Sequence, residues 1–417
     1  MSGPAVLPYF RATLAALALA ALTAVLLRGA LVWGWDVGAS LVNVRHAHSH
    51  TMFFAWITPA LFLLVAARGA DLGRRRVSRG VVHAIGAALL LGALTHPLFL
   101  RFGYSSVEVL GARLPLAAIV SGLAVLSWYA FVALFARESR GAPRTGATLA
   151  WRLALALLVL STLAVWPLAL LRPLGLDAAR WVPVLSHAFL DPFSEGFLVL
   201  SVLGLAHAEA RPERPYRLAL VAIAIAAPLS FPLGLAREAL PAEARAVAAV
   251  ACVVYGIALF AQIATLARGA LGRSWRWRVP LALGGAAALA KIAAGALPFI
   301  DWAALFGLRL LYLHALLLGF ATLGVLAAAR AILGPRGAPL LSAVQASAVL
   351  VIAALVPLSE LWPSAWSGRW TGAFAAASAL LAAVVLAVSF AAGFRTPPAA
   401  GAAREAARSS PLPLARS

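Results

Sequence analysis

The sequence predicts an all-α polytopic membrane protein with twelve transmembrane helices. Of its 417 residues, 63% are hydrophobic and only 12% are charged, and the mean hydropathy is +0.94. A soluble domain carries about 25% charged residues, so this chain has about half of the usual solvating charge. It also contains apolar runs of about twenty residues, the length that crosses a bilayer core of roughly 30 Å. The composition therefore excludes a soluble fold and makes the lipid bilayer the first predicted partner.

Twelve apolar windows, each bounded by charged residues or by Pro and Gly, define the predicted helices. The first is longer than the 7–15 apolar residues of a signal-peptide core, so we expect a retained helix rather than a cleaved leader. Residues 1–394 form the predicted transmembrane domain, and the Pro-, Ala-, Ser- and Arg-rich segment 395–417 is predicted to be a disordered cytoplasmic tail. The windows are 10–33, 46–67, 80–100, 114–136, 153–171, 186–207, 218–236, 246–267, 279–300, 310–329, 338–358 and 371–394.

The net charge of +20 arises from 34 basic and 14 acidic residues, and 33 of the basic residues are arginine. In a soluble protein this balance would suggest nucleic acid, but here the arginines lie in loops, where they set orientation and contact anionic headgroups. We therefore predict no nucleic-acid partner. Alternate loops hold 23 arginines on one side and ten on the other. Because basic loops stay in the cytoplasm, both termini are predicted to be cytoplasmic in a bacterial-type inner membrane.

Histidines near the predicted outer face are the first candidate functional residues, since a titratable group in a span is costly and usually functional. His48 and His50 lie near the start of the second helix, and His314 lies about one turn into the tenth. His50 and His314 are at equal depth, and small residues follow His314. Two such imidazoles could clamp an edge-on haem between axial ligands. The alternative is that His314 simply hydrogen-bonds a carbonyl at a packed helix interface.

A second set of residues at the same face could bind a metal, with copper as the candidate ion. On a helix, His46 and His50 share a face whereas His48 points away, so the three cannot all bind one metal unless the helix begins after His46. The alternative for this triplet is a solvated polar cluster in an outer loop. The candidate metal ligands are His46, His96, His187 and Asp191.

The sixth helix carries His187, Asp191 and Glu195 at intervals of four residues. This spacing places them on one face, descending from the outer surface into the membrane. Such a series could orient a metal-bound imidazole or pass protons inward, and the alternative is a water-lined helix start. Lys291 is the only lysine and lies within the ninth helix. It must be paired, neutral or hydrated, and Glu195 is its candidate partner.

Two segments resemble the NnrS-type membrane haem proteins, which are themselves similar to haem–copper oxidases. His48-Ser-His-Thr-Met-Phe-Phe-Ala-Trp56 is similar to that family's His-x-His-Glu-Met-Leu-Phe-Gly-Phe stretch. Leu313-His-Ala-Leu-Leu-Leu-Gly319 is similar to its His-Ala-Leu-Thr-x-Gly stretch. Twelve helices with a histidine on the second and tenth also resemble subunit I of the oxidases, where these helices supply low-spin haem ligands. The resemblance implies a haem held by His314 and by His50 or His48.

Departures from those families limit what the resemblance implies. Thr51 stands where the NnrS-type stretch usually has Glu, and the seventh helix has no histidine, so the adjacent His-His pair of the oxidases' copper site is absent. We therefore do not expect an oxygen-reducing haem–copper centre. The resemblance instead implies a sensor-like factor or a reductase relative with a haem-dependent redox role. Its small-molecule ligand would belong to nitric oxide response or respiratory chemistry.

Two other classes of protein fit parts of the sequence. A secondary transporter commonly has twelve spans with intramembrane lysine and acidic residues. Against it, no inverted repeat is evident in the sequence, and the titratable residues gather near the outer face rather than at the midplane. The third class is an assembly or scaffold protein without a cofactor.

Overall fold

A computed structural model of the chain confirms twelve helices long and apolar enough to cross a membrane. It describes residues 3–72, 77–171, 175–212, 217–330 and 337–393. The predicted tail 395–417 and the arginines at 74–76 lie outside the described residues. The spans, numbered 1 to 12 in chain order, are Leu7–Trp33, Leu41–Ala67, Arg79–Phe102, Leu116–Glu138, Gly146–Leu170, Ala178–Ala210, Arg217–Gly234, Ala242–Arg268, Trp275–Ala296, Phe306–Ala328, Leu341–Leu358 and Arg369–Ala391.

Most predicted bounds shift by only a few residues, but span 6 begins two turns earlier than the hydropathy window at 186. Asp177 caps this helix, because its carboxylate accepts a hydrogen bond from the Ala179 backbone N–H at 2.9 Å. A capped helix start tolerates polar residues that a purely apolar window excludes. Span 6 therefore reaches 33 residues, the longest of the twelve in the described chain.

Short elements complete the connections between the spans. Strands Val107–Val109 and Ala112–Leu114 pair antiparallel between spans 3 and 4. Their two-residue turn has positive φ at Leu110 (51°) and Gly111 (80°), as a tight hairpin requires. The remaining elements are the helix Ala270–Arg273 and the 3₁₀ turns Gly69–Leu72, Arg237–Ala239 and Ser364–Trp366.

Spans 2, 6 and 10 are central in the bundle. In the most apolar window of spans 2 and 6, 78% of the residues are buried inside the protein, against 33% in span 1. A helix that is apolar on all sides is stable only when other helices surround it. Spans 3 and 4, 7 and 8, and 11 and 12 pack as neighbouring pairs around this centre, and span 1 packs against span 12.

Each of the three central spans changes from α-helix to π-helix at a corresponding position. The π-helical segments are Thr51–Ile57, Pro192–Leu198 and Ala315–Thr322. They follow directly after His50, Asp191 and His314, three of the residues singled out in the sequence. The wider π turn disturbs the regular hydrogen-bond ladder and is frequent at functional sites. A π-helical segment thus recurs at every fourth span. The three spans that contain it run in the same direction, so the segments do not have the opposite orientations of an inverted repeat.

Spans 2, 6 and 10 run in the same direction because four connections separate each from the next. We call the end of the bundle at which these three spans begin, at Leu41, Ala178 and Phe306, the histidine end. The other end, at which they finish, is called the opposite end.

Candidate functional site

The first candidate site is built on the start of span 2. Ser40 begins this helix by accepting a hydrogen bond from the Asn43 backbone N–H at 3.2 Å. The helical period then directs His48 toward span 1, where its Nδ1 donates to the carbonyl oxygen of Ala20 at 2.8 Å. His50 is rotated away by about 200° and faces span 3. The two histidines therefore lie in different environments.

His50 is enclosed by aromatic rings. Its imidazole stacks on Phe99 with a centroid separation of 3.7 Å and lies 5.2 Å from Phe54. Its Nδ1 donates to the His46 carbonyl oxygen at 2.9 Å, and the Tyr104 hydroxyl approaches its Nε2 at 3.4 Å. The Tyr104 hydroxyl thus competes with a cofactor for Nε2, the nitrogen of His50 that carries the lone pair.

His314 lies near His48 rather than His50. It interacts electrostatically with His48 and with Arg28 of span 1, and His48 interacts with Arg28 and His96. The Nδ1 of His314 donates to the Leu310 carbonyl oxygen at 2.8 Å. Residues Arg28, His48, His96 and His314 are called the histidine cluster below. The electrostatic interaction of His314 with His48, which His50 does not share, favours His48 over His50 as the neighbour of His314, although equal depth in the sequence favoured His50.

The tautomer of His48 and His314 follows from their hydrogen bonds. A nitrogen that donates to a carbonyl must carry the proton, which leaves a lone pair on Nε2. Within the part of the chain that the structure describes, neither Nε2 has a hydrogen-bond partner. Both side chains are half-buried. A ligating histidine almost always has its other nitrogen held in this way.

His96 is hydrogen-bonded to Thr51, the residue at which this sequence departs from the NnrS-type stretch. Its Nδ1 lies 2.9 Å from the Thr51 hydroxyl oxygen, and that hydroxyl donates to the Ala47 carbonyl oxygen at 2.7 Å. The hydroxyl oxygen therefore accepts the proton of His96 Nδ1. Thr51 could be singled out in the sequence only as a departure, because its contact depends on how spans 2 and 3 pack.

The predicted metal ligands do not form one site. His46 packs its ring edge-on against Tyr104 with a centroid separation of 4.9 Å. His187 lies on span 6, where its Nδ1 donates to Asp191 Oδ2 at 3.0 Å and Arg309 donates to its Nε2 at 2.8 Å. Over the described ranges, no group of three or more His, Cys, Asp or Glu side chains is arranged to hold a metal ion.

The small residues that follow His314 do not line an open slot. A Cβ on Gly319 would lie 2.5 Å from a side-chain carbon of Leu283, and one on Gly324 would lie 2.6 Å from Val202. These glycines allow spans 9 and 6 to approach span 10 closely. Gly319 and Gly324 therefore serve close helix packing and leave no room for a planar ring.

A buried ion pair forms the second candidate site. Lys291 Nζ lies 2.8 Å from Glu195 Oε1, and the two side chains are 12% and 5% exposed. The pairing expected from the sequence is thus confirmed. Tyr312 donates to Glu195 Oε1 at 2.9 Å, and Ser230 donates to Oε2 at 3.2 Å. Neither hydroxyl was predicted from the sequence, although Tyr312 is only two residues from His314.

Glu360 fixes the start of span 10 and so positions both sites. Its carboxylate accepts hydrogen bonds from the backbone N–H groups of Gly307 at 3.0 Å and Leu308 at 2.6 Å. Slight burial raises the pKa of Glu360, but these hydrogen bonds outweigh it and hold the pKa below its ordinary value. Gly307 is required here because a Cβ would lie 2.4 Å from the Leu358 carbonyl oxygen.

Neither the models of known protein families nor the sequences of curated proteins match this chain. The structure itself defines the class: a twelve-span membrane protein whose described spans contain the histidine cluster and the Lys291–Glu195 pair. The function must then be argued from the chemistry of those two groups.

Proposed function

We propose that this protein binds haem between spans 2 and 10, with His314 and His48 as axial ligands. The proposal is based on the position and the hydrogen bonding of these two imidazoles. They are neighbours on different spans, each Nδ1 donates to a backbone carbonyl, and each Nε2 lacks a hydrogen-bond partner among the described residues. Bis-imidazole ligation needs a neutral imidazole with a lone pair on the nitrogen that meets the iron.

Charge in the histidine cluster also fits a haem. Arg28 is a half-buried guanidinium that interacts with both imidazoles. A haem carries two carboxylates, and a guanidinium is the side chain best suited to bind a carboxylate through paired hydrogen bonds. Arg28 would therefore hold a propionate, while His96, fixed by Thr51, would remain the nearest further imidazole. Bound haem, with both axial positions filled, would supply electron transfer.

The π-helical segments provide independent support. Two of the three begin at the residue after His50 and at the residue after His314. Because such segments concentrate at functional positions, they support a site at this level of spans 2 and 10. Together with the resemblance to NnrS-type proteins, they favour a haem-dependent role in nitric oxide response or respiratory redox chemistry. The arginine distribution supports placing the histidine end outside a bacterial-type inner membrane.

Haem content of the purified protein tests this function. Full-length protein would be expressed with haem precursors, purified in detergent, and assayed for haem by extraction into alkaline pyridine. We expect one haem per chain in wild type and in His83→Ala, whose exposed histidine lies outside the histidine cluster. We expect loss of most haem in His314→Ala. A wild-type protein without haem, or equal haem in His314→Ala, would contradict the proposal.

One observation favours a secondary transporter as the second candidate. The Lys291–Glu195 pair lies inside the bundle, and intramembrane pairs of this kind mark ion and proton pathways. A transporter would bind no haem and would catalyse substrate exchange across vesicles. The haem assay therefore separates the two candidates.

A further inference from the structure

The Lys291–Glu195 pair is the centre of a polar network to which five consecutive spans contribute. Glu195 comes from span 6, Ser230 from span 7, Lys291 from span 9 and Tyr312 from span 10. Span 8 adds Tyr255, whose hydroxyl donates to the Glu195 backbone carbonyl at 3.0 Å. The π-helical segment Pro192–Leu198 contains Glu195.

The pair lies within the spans, toward the histidine end. Lys291 is five residues from the Ala296 end of span 9, roughly 8 Å from the histidine end at 1.5 Å per residue, and sixteen residues, roughly 24 Å, from Trp275 at the opposite end. Burying an ion pair costs desolvation energy that its Coulomb attraction often fails to recover, and apolar residues would pack the same space more stably. A purely structural role is therefore a poor account of this pair.

Lys291 has partners that do not depend on the charge of Glu195. Its Nζ lies 3.3 Å from Ser230 Oγ and 3.8 Å from Cys252 Sγ. The rings of Tyr255 and Tyr312 lie 5.8 and 5.9 Å from the ammonium, within the range of cation–π attraction. The ammonium can thus stay charged when the carboxylate is neutralised.

Glu195 is arranged so that it can accept a proton. Tyr312 and Ser230 now donate to its two oxygens, but a hydroxyl can also accept, so both would remain hydrogen-bonded to a protonated carboxyl. Asp191, one turn away, interacts electrostatically with Glu195, and a second carboxylate favours the protonated form. The titratable groups that face Glu195 from the neighbouring spans are Lys291, Asp191, Tyr312, Tyr255 and Cys252.

Along span 6, the polar residues next to Glu195 lie toward the histidine end. His187 and Asp191 lie one turn apart and hydrogen-bond each other at 3.0 Å, with their side chains 10% and 15% exposed. In the other direction, residues 196–206 of span 6 are apolar except for Ser201 and are all buried. The next titratable residue of that span is His207, about three turns away.

We propose that Glu195, beside Lys291, is a proton-binding site inside the membrane that exchanges protons with the histidine end through Asp191. A proton from solvent passes to Asp191 and then to a Glu195 oxygen, while His187, which donates to Asp191 and accepts from the Arg309 guanidinium, positions the Asp191 carboxylate. The carboxylate becomes a carboxylic acid, and Lys291 keeps its charge against Ser230, Cys252 and the two tyrosine rings. The site requires no haem, so it stands independently of the proposed function.

Infrared difference spectroscopy of full-length protein in detergent tests the site. As pH falls over the range in which the protein stays folded, a buried carboxylic acid C=O band should appear. The band should be absent in Glu195→Gln and retained in Glu209→Gln, which removes an exposed carboxylate at the opposite end. A wild-type protein without a buried carboxylic acid band, or Glu195→Gln with that band unchanged, would overturn the proposal.

A second variant keeps the test decisive if Glu195→Gln does not fold. Asp191→Asn retains the Lys291–Glu195 pair but interrupts the route. After a pH jump, the carboxylic acid band should form in this variant at least about 100-fold more slowly than in wild type, since a positioned acid–base group accelerates proton transfer by that order. Equal rates in Asp191→Asn and wild type would exclude the proposed route.

Discussion

Thr51 and His96 join spans 2 and 3 by a hydrogen bond of 2.9 Å between the threonine hydroxyl oxygen and Nδ1 of the imidazole. The same hydroxyl donates to the Ala47 carbonyl oxygen, so its orientation is fixed. Thr51 is 1% exposed and His96 is 9% exposed, so neither group can exchange its partner for bulk water.

Replacing Thr51 by valine should destabilise the protein while preserving its packing volume. The His96 N–H loses the hydroxyl acceptor and keeps only the Ala47 carbonyl, and the loss of one hydrogen bond costs about 0.5–1.5 kcal/mol. Thr51→Ser retains the oxygen and should lose less stability. The measurement is chemical unfolding in mild detergent. Equal stability of Thr51→Val and wild type would show that the hydrogen bond contributes nothing.

Removing Lys291 alone should be more harmful than replacing both members of its pair. Lys291→Met leaves a buried carboxylate without its counter-charge, which costs about 3–5 kcal/mol, whereas an apolar pair is often neutral or stabilising. The double variant Lys291→Met with Glu195→Leu should therefore recover stability relative to Lys291→Met. Additive losses in the double-mutant cycle would indicate that the two residues are not energetically coupled.

Glu360 should make stability depend on pH in the acid range. Its pKa is lowered in the folded protein, so the carboxylate stabilises the fold above its unfolded pKa, and this stabilisation is lost as pH falls through the folded pKa. Glu360→Gln should therefore be less stable than wild type at neutral pH, with the difference vanishing at low pH. Exposed Glu238→Gln is the matched control and should show no such pH-dependent difference. If Glu360→Gln remained less stable than wild type at low pH, the result would contradict the proposed role of the carboxylate.

The orientation of the bundle can be read from reporter fusions. Gly141 and Gly175 lie in the connections before and after span 5, so a reporter fused there does not interrupt a helix. The reporter should be cytoplasmic after Gly141 and external after Gly175, because the arginine-rich loops stay inside. The reverse result would show that the bundle has the opposite orientation. Reporters on the same side after both positions would show that span 5 does not cross the membrane.

Much of the fold follows from the sequence because a bilayer permits few structures. Each span must satisfy its own backbone hydrogen bonds and be apolar over about twenty residues, and both properties are local. The Lys291–Glu195 pairing was also predictable, since a lone buried lysine needs an acid and Glu195 lies at a matching depth.

Features set by helix rotation and packing could not be predicted. The depth of a residue does not reveal which neighbouring helix its side chain faces. The sequence therefore could not decide between His48 and His50 as the neighbour of His314, whereas the structure shows His48 donating to the Ala20 carbonyl of span 1. Tyr255 and Ser230 are ordinary span residues until packing aligns them with Glu195. The hairpin at Leu110–Gly111 is too short for a periodic signal.

The central claim is that haem lies between His314 and His48, and the spin state of the iron tests it most directly. Oxidised and reduced absorption spectra, with electron paramagnetic resonance of the oxidised form, would be recorded for wild type, His314→Ala, His48→Ala, His50→Ala and His83→Ala. Two imidazole ligands predict a low-spin six-coordinate iron in wild type, His50→Ala and His83→Ala. His314→Ala and His48→Ala should be high-spin or free of haem. A low-spin spectrum that survives in His48→Ala but is lost in His50→Ala would contradict the assignment, and one that survives in His314→Ala would refute the site.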